Sequence, residues 1–196
     1  MSNRIKIVFI GNSIINGFPY DRNQEFVSLY REASGNEVIN KGVNGDTVHG
    51  IMRRFVQDVL VHKPDVAVIL TGTNEFIYKE SLPEQCMKDI VNVVELAKAQ
   101  AINPVLLTPL PIDPGMAETR WMVCDDVDYE AVQDQIVELK KLINKYGEEN
   151  KIKVIDTFYA FSEYVDLVGE QTAYYDGIHP TREGHQFLAE IMRKFL

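Results

Sequence analysis

Four short stretches of this chain hold side chains that could act together. Gly11-Asn12-Ser13 carries a hydroxyl, Gly42-Val43-Asn44-Gly45-Asp46 glycine amides, Gly72-Thr73-Asn74-Glu75 a carboxamide, and Asp176-Gly177-Ile178-His179-Pro180 a carboxylate and an imidazole. A serine hydroxyl is a poor nucleophile until a base takes its proton, and His179 can be that base. Asp176 stands three residues before it, so in a tight turn its carboxylate reaches the other ring nitrogen and fixes the tautomer. An attacked ester carbonyl becomes an oxyanion that needs donors already aimed at it. The Ser13 and Gly45 amides and the Asn74 side chain are the candidates, each worth roughly 2.7–4 kcal/mol if well placed. A glycine at position 45 lets backbone come that close.

The elements that must position these residues follow from apolar patterning. Ile5–Ile10 and Val66–Leu70 are runs with almost no polar break, as expected of strands covered on both faces. Glu37–Asn40, Pro104–Thr108 and Val154–Ile155 read as three further strands. Between them the spacing predicts helices over Phe26–Ala33, Val48–His62 with Thr47 as cap, and a helix to about Ala101 opened by a Ser81-Leu82-Pro83-Glu84 capping box. It also predicts helices over Tyr129–Asn150 and Glu183–Leu196, the last capped by Thr181. Leu110–Val127, with Pro111, Pro114 and Gly115, reads as a long binding loop. Strands alternating with helices mean right-handed βαβ units and one parallel sheet. In such a sheet ligands bind beyond the carboxyl ends of the strands, which is where the polar stretches fall.

Together "GNSI", "GVNGDT", "GTNE" and "DGIHP" resemble the sequence blocks of the SGNH (GDSL-type) hydrolases, with Ser13, Gly45, Asn74 and His179 at the four named positions. The resemblance runs in order over nearly the whole chain. It implies a flavodoxin-like three-layer α/β/α sandwich with a five-stranded parallel sheet. It also implies hydrolysis of esters, thioesters or acetyl-sugars without a cofactor, in the manner of the small single-domain esterase/lysophospholipase members. Two residues depart from the family pattern. Asn12 stands where Asp usually precedes the nucleophile, and Glu75 where Asp usually follows the asparagine.

Composition narrows the partners. With 196 residues, 45% of them hydrophobic, the chain suits one domain over 1–196. A net charge of −9 argues against a nucleic-acid partner, because phosphate binding needs a basic face. The apolar run behind Arg4 and Lys6 stops at Gly11, too short for a secretory leader, and no stretch approaches a membrane span; the expected location is the cytoplasm. Cys86 and Cys124 read as free buried thiols. His185 could join Asp176 and His179 at a metal, but the spacing matches no common zinc pattern, so no metal is expected and His185 is read as packing. Trp121 and Met122 are candidate walls of a substrate pocket for a small-molecule ester. One Trp and one Met do not make a long apolar groove, so short acyl chains are favoured. A homodimer is compatible with the resemblance.

Three functions are therefore weighed. The first is a serine esterase working through Ser13, His179 and Asp176. The second is a phosphate- or nucleotide-binding module, against which stand the net charge and the missing Gly-Lys-Ser/Thr ending of a P-loop. The third is a non-catalytic sugar- or lipid-binding relative using the same cleft, hinted at by Asn12.

Overall fold

A computed structural model describes residues 4–121 and 126–196. Five strands, β1 (Lys6–Gly11), β2 (Glu37–Gly42), β3 (Val66–Leu70), β4 (Asn103–Leu107) and β5 (Lys153–Ile155), form one all-parallel sheet in the order β2-β1-β3-β4-β5. Alternation along the strands explains why they read as unbroken apolar runs. Val8 and Ile10 of β1, Ala67 and Ile69 of β3 and Leu106 of β4 face one core. Ile7, Phe9, Val68, Leu70, Val105 and Leu107 face the other. Each fully buried residue of this size adds roughly 1.5–3 kcal/mol over leaving it in water, so both faces must be covered.

Helices α3 (Val48–Asp58), α5 (Pro83–Lys98) and α7 (Tyr129–Asn150) cover the first face through Ile51, Phe55, Ile90, Val94, Ile136 and Leu139. Helices α2 (Phe26–Ser34), α8 (Thr157–Val168) and α10 (Arg182–Phe195) cover the second through Phe26, Tyr30, Phe161, Leu188 and Met192. Short helices α1 (Ser13–Asn16), α4 (Asn74–Ile77), α6 (Pro114–Arg120) and α9 (Glu170–Ala173) decorate the loops. Among the described residues no helix is long and apolar enough to cross a membrane.

Several expectations are corrected. The residues of Leu110–Val127 are not all loop: Asp113 caps Pro114–Arg120 into α6, its carboxylate accepting from the Met116 N–H at 2.8 Å. Ser81 does not cap α5; it bonds the Leu82 carbonyl instead, and the helix starts on Pro83 with its own fixed φ. Thr47 makes no side-chain cap for α3. Helix α3 also ends at Asp58, the rest of its expected span being a 3-10 turn over Leu60–His62. Helix α8 is unforeseen, although Asp156, accepting from the Tyr159 N–H at 2.9 Å, is an ordinary N-cap. The Thr181 cap on α10 is present, its hydroxyl accepting from the Gly184 N–H at 3.1 Å. Cys86 is free and buried, and burial pushes its thiol pKa up; Cys124 lies outside the described residues.

Strand order reverses between β1 and β3: the chain leaves β1 for one side of the sheet and returns to the other at β3. The crevice at this switch point is where α1 and α4 begin. Helix α1 is pressed onto the end of β2. A Cβ on Gly42 would lie 2.1 Å from the Asn16 nitrogen and 2.5 Å from the Ile15 carbonyl carbon. Because these neighbours are backbone, Gly42→Ala is expected to cost about 1–3 kcal/mol in urea unfolding. A variant as stable as the parent would show that α1 is not held there.

Candidate active site

The four polar stretches meet at the carboxyl edge of the sheet. Ser13 opens α1, directly after β1. Asn12 caps that helix, its side-chain oxygen accepting from the Ile14 N–H at 3.0 Å. The carboxamide thus makes the cap bond that a carboxylate would make, without placing a charge at a position 1% exposed. As first residue of its helix, Ser13 has an N–H with no intrahelical acceptor.

The opposing loop is tied shut before it offers its histidine. The Tyr175 N–H donates to the His179 carbonyl at 2.8 Å, and Tyr174 and Pro180 bridge antiparallel. Gly177 sits at φ +90°, where a side chain is strained, and a Cβ there would meet the Ala117 nitrogen of α6 at 2.5 Å. Inside this turn the Asp176 carboxylate accepts from the Ile178 N–H at 3.0 Å, the His179 N–H at 2.8 Å and His179 Nδ1 at 2.8 Å. His179 Nε2 lies 2.8 Å from Ser13 Oγ. Burial works against the Asp176 charge, but the hydrogen bonds from the His179 ring and from the two backbone N–H groups outweigh it and hold the pKa below the ordinary carboxylate value. An ionised carboxylate can only accept, so Nδ1 carries the proton and Nε2 is left to accept from the Ser13 hydroxyl.

The third and fourth candidates lie on the loops that follow β2 and β3, at the same edge of the sheet. Gly45 lies in a turn at φ +74°, and its N–H donates to no group of the chain among the described residues. Asn74 Nδ2 donates one hydrogen to the Asp46 carbonyl at 2.8 Å, which leaves its second hydrogen for another acceptor. Glu75, the other departure from the family pattern, is buried. It accepts from the Val48 N–H at 2.7 Å, the Thr71 hydroxyl at 2.6 Å and the Gly72 N–H at 3.0 Å. It therefore satisfies the N-terminus of α3 that Thr47 was expected to cap. Burial raises its pKa against the pull of these hydrogen bonds.

Two aromatic rings close over the histidine. Trp121, at the end of α6, has its ring centroid 4.7 Å from that of His179, and Phe18 is also 4.7 Å away. The two contact each other edge-on at 5.5 Å. Phe18 was missed in the sequence; its signal was an aromatic five residues after the serine, just before Pro19. Met122 lies outside the described residues. The pair leaves Ser13 only 7% and His179 only 2% exposed, a nearly dry setting in which charges act strongly.

A scan against family models matches residues 9–187 to the GDSL-like lipase/acylhydrolase family. The chain belongs to this family, and it is a hydrolase of ester bonds. Among curated proteins it is 25% identical to an acetylxylan esterase of Geobacillus stearothermophilus over 156 residues, covering 79% of this chain and 69% of that protein. It is 28% identical to an acetylxylan esterase of Xylanibacter ruminicola, covering 96% of this chain but only 42% of that longer protein. Among solved structures, a G-D-S-L family protein of Desulfitobacterium hafniense superposes with a TM-score of 0.81 at 27% identity, over 98% of this chain and all of the other. The α/β fold is the family's.

His185 packs between rings: Phe26 stacks on it at 6.0 Å and Tyr20 meets it edge-on at 6.0 Å. Neither ring nitrogen has a hydrogen-bond partner among the described residues. Burial, followed by the charge of His179, lowers its pKa to about 4, so it is neutral in the folded protein. The unfolded chain takes up the proton near the ordinary value of 6.5. Stability from this site is thus complete above that pH and is lost as pH falls toward 4. His185→Leu is expected to lose about 3 kcal/mol less than the parent across that window in urea unfolding. Parallel stability curves would show that His185 holds its proton equally well folded and unfolded, against the lowering by burial.

Proposed function

We propose that the protein is a serine esterase that removes short acyl groups from small ester substrates, acetylated sugars foremost, through an acyl-enzyme. The observation that carries this reading is the unbroken run from Ser13 Oγ to His179 Nε2 at 2.8 Å and from His179 Nδ1 to Asp176 at 2.8 Å. Ser13 Oγ attacks the acyl carbonyl while Nε2 takes its proton. Asp176 stabilises the imidazolium so formed. The carbonyl oxygen, now an anion, is received by the Ser13 and Gly45 amides and the spare hydrogen of Asn74 Nδ2. Collapse breaks the ester C–O bond, and the imidazolium gives its proton to the leaving alcohol. Water, deprotonated by the same nitrogen, then releases the acid and restores Ser13. No step needs a metal or cofactor.

The preference for short acyl groups is supported by Trp121 and Phe18, whose rings both stand against His179 at 4.7 Å. The two acetylxylan esterases among the relatives support a sugar ester as substrate, with the sugar hydroxyl as leaving group. The hint toward a non-catalytic relative loses its force, since Asn12 makes the cap that the serine turn needs. The same reading takes 1–196 as one domain acting in the cytoplasm, alone or as a homodimer.

Ser13→Ala is expected to fold normally by circular dichroism and to lose roughly 10³-fold or more of p-nitrophenyl acetate turnover; unchanged turnover ends the reading. In a series of p-nitrophenyl esters, kcat/KM is expected to fall about tenfold or more from acetyl to octanoyl, and a rise with chain length would contradict the small acyl pocket.

A further inference from the structure

Beneath the site lies an arginine that none of this chemistry uses. Arg54, on the second turn from the end of α3, is largely buried, and four of its five N–H groups donate hydrogen bonds. Nε donates to Asp46 Oδ2 at 2.7 Å, Nη2 to the Gly11 carbonyl at 3.0 Å, and Nη1 to the Lys41 carbonyl at 2.7 Å and Asp58 Oδ2 at 2.8 Å, while Nη2 also stands in ion-pair contact with Asp46 Oδ2 at 2.7 Å. These acceptors are not random neighbours. Gly11 is the last residue of β1, two before Ser13. Lys41 is at the end of β2. Asp46 directly follows Gly45, and its carbonyl is the group that holds Asn74 Nδ2 at 2.8 Å. Its other carboxylate oxygen accepts from the Thr47 N–H at 3.1 Å. Even the space for this carboxylate is reserved: a Cβ on Gly50 would lie 1.6 Å from Asp46 Oδ1.

Resting on the esterase reading, we propose that Arg54 is a positioning residue for the reaction: by fixing Gly11 and Asp46 in one planar fork, it sets the spacing between the Ser13 nucleophile and the Gly45 and Asn74 donors. It touches neither substrate nor reacting atoms. Its effect falls on the transition state, because only there does an oxygen carry the charge that these donors meet. Ground-state binding, which depends on the walls at Phe18 and Trp121, is left alone. Lysine cannot replace it, since an ammonium offers three donors with no fixed plane and cannot span Asp46, Gly11 and Lys41 together.

Asp58 supplies the control. It accepts from the same guanidinium but lies on the side away from the site, where Lys41 Nζ also reaches it at 3.1 Å. The experiment measures kcat and KM for p-nitrophenyl acetate, the rate at which a fluorophosphonate labels Ser13, and thermal unfolding, for the parent, Arg54→Lys, Arg54→Met and Asp58→Asn. The Arg54 variants are expected to lose roughly 10- to 100-fold in kcat with KM within about threefold. Labelling of Ser13 should slow in proportion, since its phosphorus centre also develops an anionic oxygen. Asp58→Asn is expected to keep kcat within about twofold even where its unfolding temperature drops. Should Arg54→Met fail to fold, the charge-preserving lysine variant decides. Arg54→Lys with kcat within about twofold of the parent overturns the proposal, as does a loss that appears in KM alone or that Asp58→Asn shares in step with its loss of stability. A parent that hydrolyses no ester and whose Ser13 takes no label overturns this inference and the esterase reading together, whereas an active parent with indifferent Arg54 variants overturns this inference only.

Discussion

Three hydrogens converge on the carboxylate of Asp176: two from the backbone of its own turn and one from the ring of His179. This fixes the turn and the ring by the same bonds, so the imidazole cannot swing without unmaking its loop. A buried carboxylate without such partners would take up a proton. Here the partners keep it charged, and a charged carboxylate dictates which ring nitrogen carries hydrogen. Which ring nitrogen faces the Ser13 hydroxyl as an acceptor is thereby set by a local turn of four residues. The rest of the fold brings that turn to the serine.

The sheet does so by topology. Reversal of strand order at β1 opens a crevice, and α1 starts there because Asn12 ends the strand with a cap. The loops after β2 and β3 stand on the same edge and are cross-tied: Asn74 to the Asp46 carbonyl, Glu75 to the start of α3. Helix α6 braces the histidine turn from the far side, with the Asp113 N–H donating to the Gly177 carbonyl at 2.8 Å. Burial on both faces of the sheet makes the platform stiff.

Much of this was legible in the sequence where the information is local. Unbroken apolar runs gave away the strands, since a residue pattern with no polar face has no wet side. Three of the polar stretches were legible because each sits at the end of a strand, and Asp176 and His179 because a three-residue step closes in a turn. Other features depend on tertiary contacts that periodicity does not encode. Glu75 caps α3 from 27 residues away and so displaced Thr47, the local candidate. The Ser81 motif had the letters of a capping box, but Pro83 set the helix start without it. Helix α8 was hidden because its Thr157-Phe158-Tyr159 opening favours strand by propensity, and the packing of Phe161 against α10 and Tyr174 overrode that preference. Phe18 became a site residue only once the histidine turn was folded over it.

If Ser13, His179 and the donors of the β2 and β3 loops form one reacting centre, a crystal structure after inactivation with a small alkyl fluorophosphonate will show it. Phosphorus is expected on Ser13 Oγ, with one phosphonyl oxygen about 3 Å from both the Gly45 nitrogen and Asn74 Nδ2 and His179 still paired with Asp176. A phosphonyl oxygen facing solvent with no amide within hydrogen-bonding distance, or a label on any residue other than Ser13, would contradict it.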